Sequence, residues 1–140
     1  MRSIVLDTNV LVAAMRSKEG ASFRLLQEFV SEPRFQIAIS VPLVMEYEMV
    51  LKRVPGLRMT DAETLVDYLC DVGDKREIYF LWRPFLRDPK DEMVLEVAVE
   101  ARAEVIVTHN VRDFSGVEER FGIRILTPGA FLLELEGFRQ

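Results

Sequence analysis

The sequence predicts an α/β protein with a three-layer α/β/α architecture: a mainly parallel, five-stranded sheet with helices on both faces. Short apolar runs alternate along the chain with longer segments in which apolar residues recur at helical spacing. The short runs are continuous in their hydrophobicity, as in strands that are covered on both faces. Strands separated by helices imply right-handed crossovers and a parallel sheet. The length of 140 residues fits one domain, residues 1–140.

The first half of the chain is predicted to contain two strands and four helices. The strands are residues 4–6 and 35–40, and the helices are residues 9–16, 21–30, 42–53 and 60–72. Pro42 suits the first turn of its helix. The dipeptide Pro55-Gly56 predicts a break. Thr60 and Glu63 have the spacing of a capping box, which predicts that the fourth helix opens at Thr60.

The second half is predicted to contain three strands and three helices. The strands are residues 78–82, 105–108 and 123–126, and the helices are residues 91–103, 117–120 and 129–135. Asp88 followed by Pro89 is typical of an N-cap and the first helical position.

Composition excludes several classes of protein. No apolar run approaches the roughly 18–20 residues that span a bilayer, and the first residues do not resemble a signal peptide, so we expect a cytoplasmic protein with no membrane partner. The only cysteine, Cys70, excludes an internal disulfide framework. The net charge of −5 argues against a broad phosphate-binding surface. An acidic nuclease is still compatible with this charge if its carboxylates hold divalent cations.

Three carboxylates follow predicted strands or lie on the helices beside them. Ligands of parallel sheets bind beyond the carboxyl ends of the strands. Asp7 directly follows the first strand, Glu46 borders the apolar stripe of the helix after the second strand, and Asp91 lies in the first turn of its helix. Each also has an ordinary structural interpretation: Asp7 or Thr8 caps a helix, and an acid near a helix N-terminus is favoured by the macrodipole.

A polar segment also follows the fourth strand. It contains Thr108, His109, Asn110 and Asp113. The structural interpretation is a turn that closes the strand, or an Asp113 that caps the short helix after it. His109, the only histidine, is predicted to be a loop or surface residue. If Phe114 packs into the core, it would hold Asp113 near the other carboxylates.

Clustered carboxylates predict a cation site. Carboxylates within about 4–6 Å of one another repel by kilocalories per mole, and a bound divalent cation removes that repulsion. Sites built of oxygen ligands suit Mg²⁺ or Mn²⁺. Such metals polarise phosphoryl oxygens and activate water for phosphodiester hydrolysis.

Four stretches of this chain, in this order, resemble the PIN domain. They are Asp7-Thr8-Asn9, the segment around Glu46 at residues 40–47, Arg87-Asp88-Pro89 with Asp91, and residues 105–108 followed by Asp113-Phe114. The resemblance covers essentially the whole chain and is closest to prokaryotic PIN proteins that are toxins of toxin–antitoxin systems, a group similar to the VapC toxins. It implies the three-layer fold, Mg²⁺- or Mn²⁺-dependent cleavage of RNA, frequent homodimers and a cognate antitoxin protein as a partner.

The resemblance also assigns roles to residues of this chain. Asp7, Glu46 and Asp91 carry over as metal-binding, catalytic carboxylates. Many PIN domains have a further acid where this chain has Asn110, and Asp113 is expected to serve as the fourth catalytic acid instead. Hydrogen bonds that fix these carboxylates are expected from Thr8, Asn9, Thr108 and Asn110. The candidates for RNA phosphate contacts are Arg16, Arg87 and Arg112, with Lys18 and Arg83 as further basic residues.

The function predicted from these residues is that of a metal-dependent endoribonuclease, a hydrolase that serves as the toxin of a toxin–antitoxin pair. One alternative is a catalytically incomplete PIN-fold module that binds RNA or docks a protein, and Asn110 favours it. A second alternative, an aspartate-nucleophile phosphatase, needs a second Asp where this chain has Asn9.

A homodimer is predicted from the resemblance and from the helix at residues 60–72. That helix is apolar along one face, and Tyr68 lies beside the apolar face.

Overall fold

The computed structural model describes residues 2–78 and 84–137, and within them lies a five-stranded sheet in which every neighbouring pair of strands is parallel. The strand order is β3-β2-β1-β4-β5. The strands are β1 (Arg2–Leu6), β2 (Phe35–Ile39), β3 (Asp74–Lys75), β4 (Val105–Val107) and β5 (Arg124–Leu126). Helices cover both faces of the sheet. The predicted three-layer α/β/α fold class is therefore confirmed.

Seven α-helices and one short 3-10 helix accompany the sheet in the described part of the chain. They are α1 (Thr8–Arg16), α2 (Ala21–Ser31), α3 (Val41–Leu51), α4 (Met59–Val72), α5 (Pro89–Glu100), the 3-10 helix Val111–Phe114, α6 (Val117–Phe121) and α7 (Pro128–Gly137). Side chains of Asp7, Ser40 and Asp88 cap α1, α3 and α5 by accepting hydrogen bonds from backbone N–H groups of the first turn. The predicted N-cap Asp88 is thus confirmed.

The core is centred on β1 and β4, two of the three inner strands. Ile4, Val5 and Leu6 of β1 are fully buried, as is every residue of β4. Both faces of these strands are covered by helices, which accounts for their continuous hydrophobicity.

The chain changes direction across the sheet between β1 and β4. It proceeds from β1 outward through β2 to β3, then returns to β4 on the other side of β1 and ends at β5. In the β1–β4 register, Leu6 pairs with Val107, so the next residues, Asp7 and Thr108, stand side by side at the carboxyl ends. Crevices at such a reversal are where doubly wound sheets bind ligands.

The third strand differs from the prediction. β3 consists of Asp74 and Lys75, paired with Ala38 and Ile39 of β2. Ile78 lies outside any strand, and residues 79–83 of the strand predicted at residues 78–82 lie outside the described residues. A two-residue polar strand at the sheet edge has no apolar run, so the hydrophobicity that reveals buried strands does not reveal this one.

The capping box predicted at Thr60 is wrong. α4 begins one residue earlier, at Met59, with Arg58 as its N-cap and no side-chain cap. Thr60 lies inside the first turn, and its carbonyl accepts a hydrogen bond from Thr64 Oγ1 (2.7 Å). Leu57 packs against the core just before the helix, so tertiary packing sets the position at which α4 enters.

In the described ranges, no helix combines the length and the apolar character that crossing a membrane requires.

Candidate active site

Asp7 lies at the carboxyl end of β1 and is only 8% exposed. Its Oδ2 accepts a hydrogen bond from Thr108 Oγ1 (2.7 Å), and its Oδ1 accepts one from the backbone N–H of Thr8 (2.8 Å). The second of these bonds caps α1. Asp7 therefore has the capping role, and the same carboxylate stands at the chain reversal where a ligand site is expected.

Thr108 links the ends of β1 and β4. Its hydroxyl donates to Asp7 and accepts from the backbone N–H of Asn110 (2.9 Å) and from Asn9 Nδ2 (3.4 Å). Asn9 Oδ1 in turn accepts from the backbone N–H of His109 (3.2 Å). The four residues expected to fix the carboxylates, Thr8, Asn9, Thr108 and Asn110, thus all take part in one hydrogen-bonded group around Asp7.

Asp91 lies in the first turn of α5 and is 9% exposed. Burial raises the pKa of its carboxyl group to about 7, with further increases from the negative charges of Asp7, Asp113, Asp88 and Glu92. Asp7, Asp91 and Asp113, here called the carboxylate cluster, are therefore close enough to interact electrostatically.

Burial also raises the pKa of Asp7. The hydrogen bonds from Thr108 and Thr8 lower it, and the charges of Asp113 and Asp88 add to the increase. Two buried carboxyl groups of the cluster consequently resist ionisation, because each lies in a low-dielectric region among like charges. A cation bound between them would reverse this effect.

Asp113 reaches the cluster from the 3-10 helix Val111–Phe114. Phe114 is fully buried, as expected for the residue that holds this turn in place. The alternative in which Asp113 caps the next helix is wrong, because α6 has Gly116 at its N-cap position and no side-chain cap. Asn110 is exposed and bonds to Thr108 through its backbone N–H.

Glu46 lies in α3, and its side chain is 7% exposed. Its Oε1 is 3.8 Å from the Nζ of Lys90, the residue just before Asp91. The next residue, Tyr47, donates its hydroxyl hydrogen bond to the carbonyl of Leu6, which anchors α3 to the end of β1. The structure thus places Glu46 next to the start of α5, joined to it through a lysine.

Glu92 belongs to this region, although its role was not predicted. Its buried Oε1 accepts hydrogen bonds from the backbone N–H groups of Phe85 (2.5 Å) and Leu86. It thereby holds the loop before α5 against the first turn of that helix. An acid in a first helical turn is common in any sequence, and no local pattern indicates that a loop six residues upstream folds back onto it.

A cleft of about 440 Å³ opens beside the cluster. Its walls are Phe85, Leu86, Arg87, Asp88, Asp91, Arg112, Asp113 and Ser115. Arg87 and Arg112 are exposed, and neither forms an ion pair with a described residue. Two of the three arginines predicted to contact phosphates, Arg87 and Arg112, are therefore at the cleft and accessible.

Other predicted basic and polar residues lie elsewhere. Arg16 is exposed at the end of α1, and it is not among the described residues that line this cleft. Lys18 follows it on the surface, and Arg83 lies outside the described residues. His109 is an exposed loop residue, as predicted, and its Nε2 is hydrogen-bonded to Ser22 Oγ (2.8 Å).

The donor atoms of the cluster fit a hard divalent cation. Carboxylate oxygens are the ligands that Mg²⁺ and Mn²⁺ take from proteins. Within residues 2–78 and 84–137, however, no three acidic, histidine or cysteine side chains are placed closely enough to enclose an ion as they stand. The chemistry of the donors therefore fits the metal, whereas the spacing of these described side chains does not enclose an ion.

Several solved structures have this fold. VapBC-1 from nontypeable Haemophilus influenzae is similar with a TM-score of 0.58 and 15% identity, covering 91% of this chain and 98% of that one. DNA-bound VapBC from Salmonella typhimurium gives 0.60 and 20%, covering 91% and 99%. VapBC2 from Rickettsia felis, bound to a promoter DNA fragment, gives 0.57 and 16%, covering 89% and 96%.

Comparison of sequences identifies the family. No curated protein matches the chain. The family model described as the PIN domain matches residues 3–112, which include Asp7, Glu46 and Asp91 and end one residue before Asp113. This chain therefore belongs to the PIN domain family.

Proposed function

We propose that this protein is a metal-dependent endoribonuclease, a hydrolase of RNA phosphodiester bonds that uses Mg²⁺ or Mn²⁺ and forms a single domain over residues 1–140. One observation carries the proposal: the carboxylate cluster lies at the chain reversal of the sheet, beside a cleft with two accessible arginines. Buried like charges are unfavourable in the absence of a cation, and their retention at a cleft is typical of functional sites.

Each residue of the site has a proposed role. Asp7, Glu46 and Asp91 bind the cation, and Asp113 contributes a fourth carboxylate. When bound, the cation polarises a phosphoryl oxygen and makes water a better nucleophile. Thr108 orients the Asp7 carboxylate through its 2.7 Å hydrogen bond, and this bond also favours the ionised form that a metal requires.

The overall charge of this acidic protein does not attract RNA, so binding depends on basic residues at the cleft. The net charge is −5, so long-range attraction to phosphates is unfavourable. Arg87 and Arg112 stand on the cleft wall, where their guanidinium groups can each form paired hydrogen bonds to a phosphate. We expect them to place the backbone across the carboxylate cluster, and Arg16 to contribute less.

The biological role that we propose is that of a toxin in a toxin–antitoxin pair, acting in the cytoplasm. The similar solved structures are complexes named VapBC, and the sequence itself resembles the VapC toxins. A cognate antitoxin protein is accordingly the proposed partner. Inspection of the adjacent reading frames for a small DNA-binding protein tests this directly.

A homodimer is also proposed, through a surface that differs from the predicted one. Tyr68 of α4 lies edge-on against Phe29, with ring centroids 6.2 Å apart, so it serves the fold of its own chain. In contrast, Val41, Met45 and Met49 of α3 are exposed at successive helical turns. This apolar row is the better candidate for contact with a second copy.

A catalytically incomplete PIN module that binds RNA or a protein is the second candidate. Two observations favour it: Asn110 stands where many PIN domains have an acid, and the carboxylates of the described residues do not form a ready-made site. Such a module would bind Mn²⁺ no better than scattered surface acids do.

RNA cleavage with and without metal tests the proposal. The unmodified protein is expected to cut RNA in Mn²⁺ or Mg²⁺ and to stop in EDTA. Asp7→Asn is expected to be inactive yet folded, because Asn still caps α1. Asp67→Asn, a change of the same kind at an exposed position of α4, is the matched control and should cut at the parent rate. Cleavage that survives EDTA or Asp7→Asn would contradict the proposal.

A further inference from the structure

Phe85 is an exposed aromatic residue on the wall of the active-site cleft. Its side chain is 41% exposed, and it lines the same cavity as Asp91, Arg87 and Arg112. A single exposed apolar side chain is ordinary on a protein surface. Phe85 differs because the surrounding residues hold its ring and its backbone in place at the mouth of the cleft.

The ring of Phe85 is supported from two directions. Phe121 packs against it edge to face, with centroids 5.4 Å apart and planes at 79°. Gly116 passes close beside it: a Cβ on this residue would lie 3.2 Å from the Phe85 Cζ, and its φ of +89° also favours glycine. A side chain at residue 116 would therefore displace the ring.

The backbone of Phe85 is fixed by Glu92. The buried Glu92 carboxylate accepts the N–H groups of Phe85 and Leu86, and the buried Leu86 side chain anchors the next position. Hydrogen bonds from two N–H groups to one buried carboxylate are stronger than neutral ones. These contacts fix the backbone of Phe85 and Leu86 against the first turn of α5.

We infer that Phe85 is a stacking platform for one unpaired base of the RNA beside the point of cleavage. The inference rests on the proposed ribonuclease function and adds a base-binding residue to the site. The aromatic ring takes the base, and Arg87 and Arg112 take neighbouring phosphates, on the walls of the cleft that Asp91 and Asp113 also line. Glu92 is a positioning residue, which acts by holding the platform.

Stacking selects unpaired RNA for a geometric reason. A base within a duplex has both of its faces covered by neighbouring bases, whereas a splayed base in a loop or single strand offers a free face to an aromatic ring. Such stacking contributes about 1–3 kcal/mol per base, which corresponds to roughly 5- to 150-fold in affinity. It tolerates any base, because every base has a π face.

The binding test uses a short oligouridylate that contains one 2-aminopurine, whose fluorescence falls when it stacks. It is titrated into Asp7→Asn protein, which should not cut it. We expect quenching on binding, and we expect Phe85→Leu to lose the quenching and to bind at least 5-fold more weakly. Phe85→Trp should retain the quenching and the affinity of the parent. Leu133→Ala, at an exposed position of α7, is the control and should behave as the parent.

A second strand, abasic at the 2-aminopurine position, isolates the stacking contribution. Phe85→Leu and the parent should bind it equally. Equal affinity and equal quenching for the 2-aminopurine strand in the parent and in Phe85→Leu would overturn the inference. Because leucine keeps the apolar volume, a melting temperature close to that of the parent separates loss of stacking from loss of folding.

Cleavage distinguishes this inference from the proposed function. In the active protein, Phe85→Leu should raise KM for single-stranded RNA with little change in kcat, and annealing a complementary strand should protect the RNA. If the parent cuts RNA but KM is unchanged in Phe85→Leu, or if duplex RNA is cut equally well, the platform is wrong and the ribonuclease stands. If the parent cuts nothing while the binding results hold, the ribonuclease is wrong and the base platform stands.

Discussion

Asp91 shows how burial and neighbouring negative charges raise the pKa of a single carboxyl group. Its pKa of about 7 lies well above the value of an exposed aspartate, so near neutral pH a large share of the molecules carry a proton there. A divalent cation competes with that proton, and metal affinity should therefore rise steeply between about pH 6 and pH 8.

The stability of the metal-free protein should also depend on pH, mainly below pH 7. Because the folded-state pKa of Asp91 is raised from the ordinary value of 3.8 to about 7, stability is highest below the ordinary pKa, falls as the pH rises to about 7 and changes little beyond it. We expect a higher melting temperature near pH 5.5 than near pH 8. Glu134, whose pKa is lowered, acts in the opposite sense only below its ordinary pKa of 4.5.

Asp91→Asn provides the control for this pH dependence. The variant should be more stable than the parent near pH 8, by on the order of 1–3 kcal/mol, and its melting temperature should change less with pH. Added Mn²⁺ should stabilise the parent near pH 8 but not the variant. A parent that is less stable near pH 5.5 than near pH 8 would contradict the assignment.

Asp113 and Asn110 are the two candidates for a fourth ligand of the cation. The structure gives Asp113 an electrostatic interaction with both Asp7 and Asp91, whereas Asn110 bonds to Thr108 through its backbone. Asp113→Ala should therefore need much more Mn²⁺ for half-maximal cleavage, and Asn110→Ala should need little more. The opposite order would mean that Asn110 is the fourth ligand, and two negligible effects would mean that three carboxylates suffice.

At the scale of secondary-structure elements, the buried hydroxyl of Thr108 connects the carboxyl ends of β1 and β4. Thr108→Val keeps the shape of the side chain but leaves the N–H of Asn110 without its acceptor and removes the hydrogen bond to Asp7. We expect a loss of about 1–3 kcal/mol in the free energy of unfolding, measured with urea, and weaker Mn²⁺ binding. Thr64→Val, on the exposed face of α4, is the matched control and should do neither.

Most elements could be predicted from the sequence because they bury a periodic or continuous apolar face. β1 and β4 are apolar throughout, and the Asp88-Pro89 pair identifies the start of α5. β3 and the N-terminus of α4 could not be predicted, because pairing with β2 and packing of Leu57 decide them. Local patterns do not include either of these long-range contacts.

The candidate site likewise combines residues that local sequence patterns predict with contacts that they do not predict. The sequence predicts that Asp7, Asp91 and Asp113 lie near one another, because each follows or precedes an element whose end lies at the carboxyl edge of the sheet. The hydrogen bonds that Glu92 accepts from the backbone N–H groups of Phe85 and Leu86 were not predicted, since they depend on how a loop folds back in space. The exposure of Phe85 in the cleft follows from this contact and is equally invisible in the sequence.

At the scale of the whole molecule, the apolar row on α3 should decide the oligomeric state. Light scattering at concentrations on the order of tens of micromolar should give twice the chain mass of 16.2 kDa. Met45→Glu places a charge in the middle of the row and should give the mass of one chain. Leu133→Glu, at an equally exposed position of α7, should remain a dimer. A parent with the mass of one chain would exclude the homodimer at these concentrations.

For the site as a whole, we propose that the carboxylate cluster together with Glu46 holds a divalent metal that the chain uses to cut RNA. Calorimetric titration with Mn²⁺ near pH 8, where the carboxyl group of Asp91 is mostly ionised, tests this most directly. We expect saturable binding that Asp7→Asn and Asp91→Asn each abolish and that Asp67→Asn leaves unchanged. Binding no tighter in the parent than in Asp7→Asn would contradict the account and would favour the incomplete module.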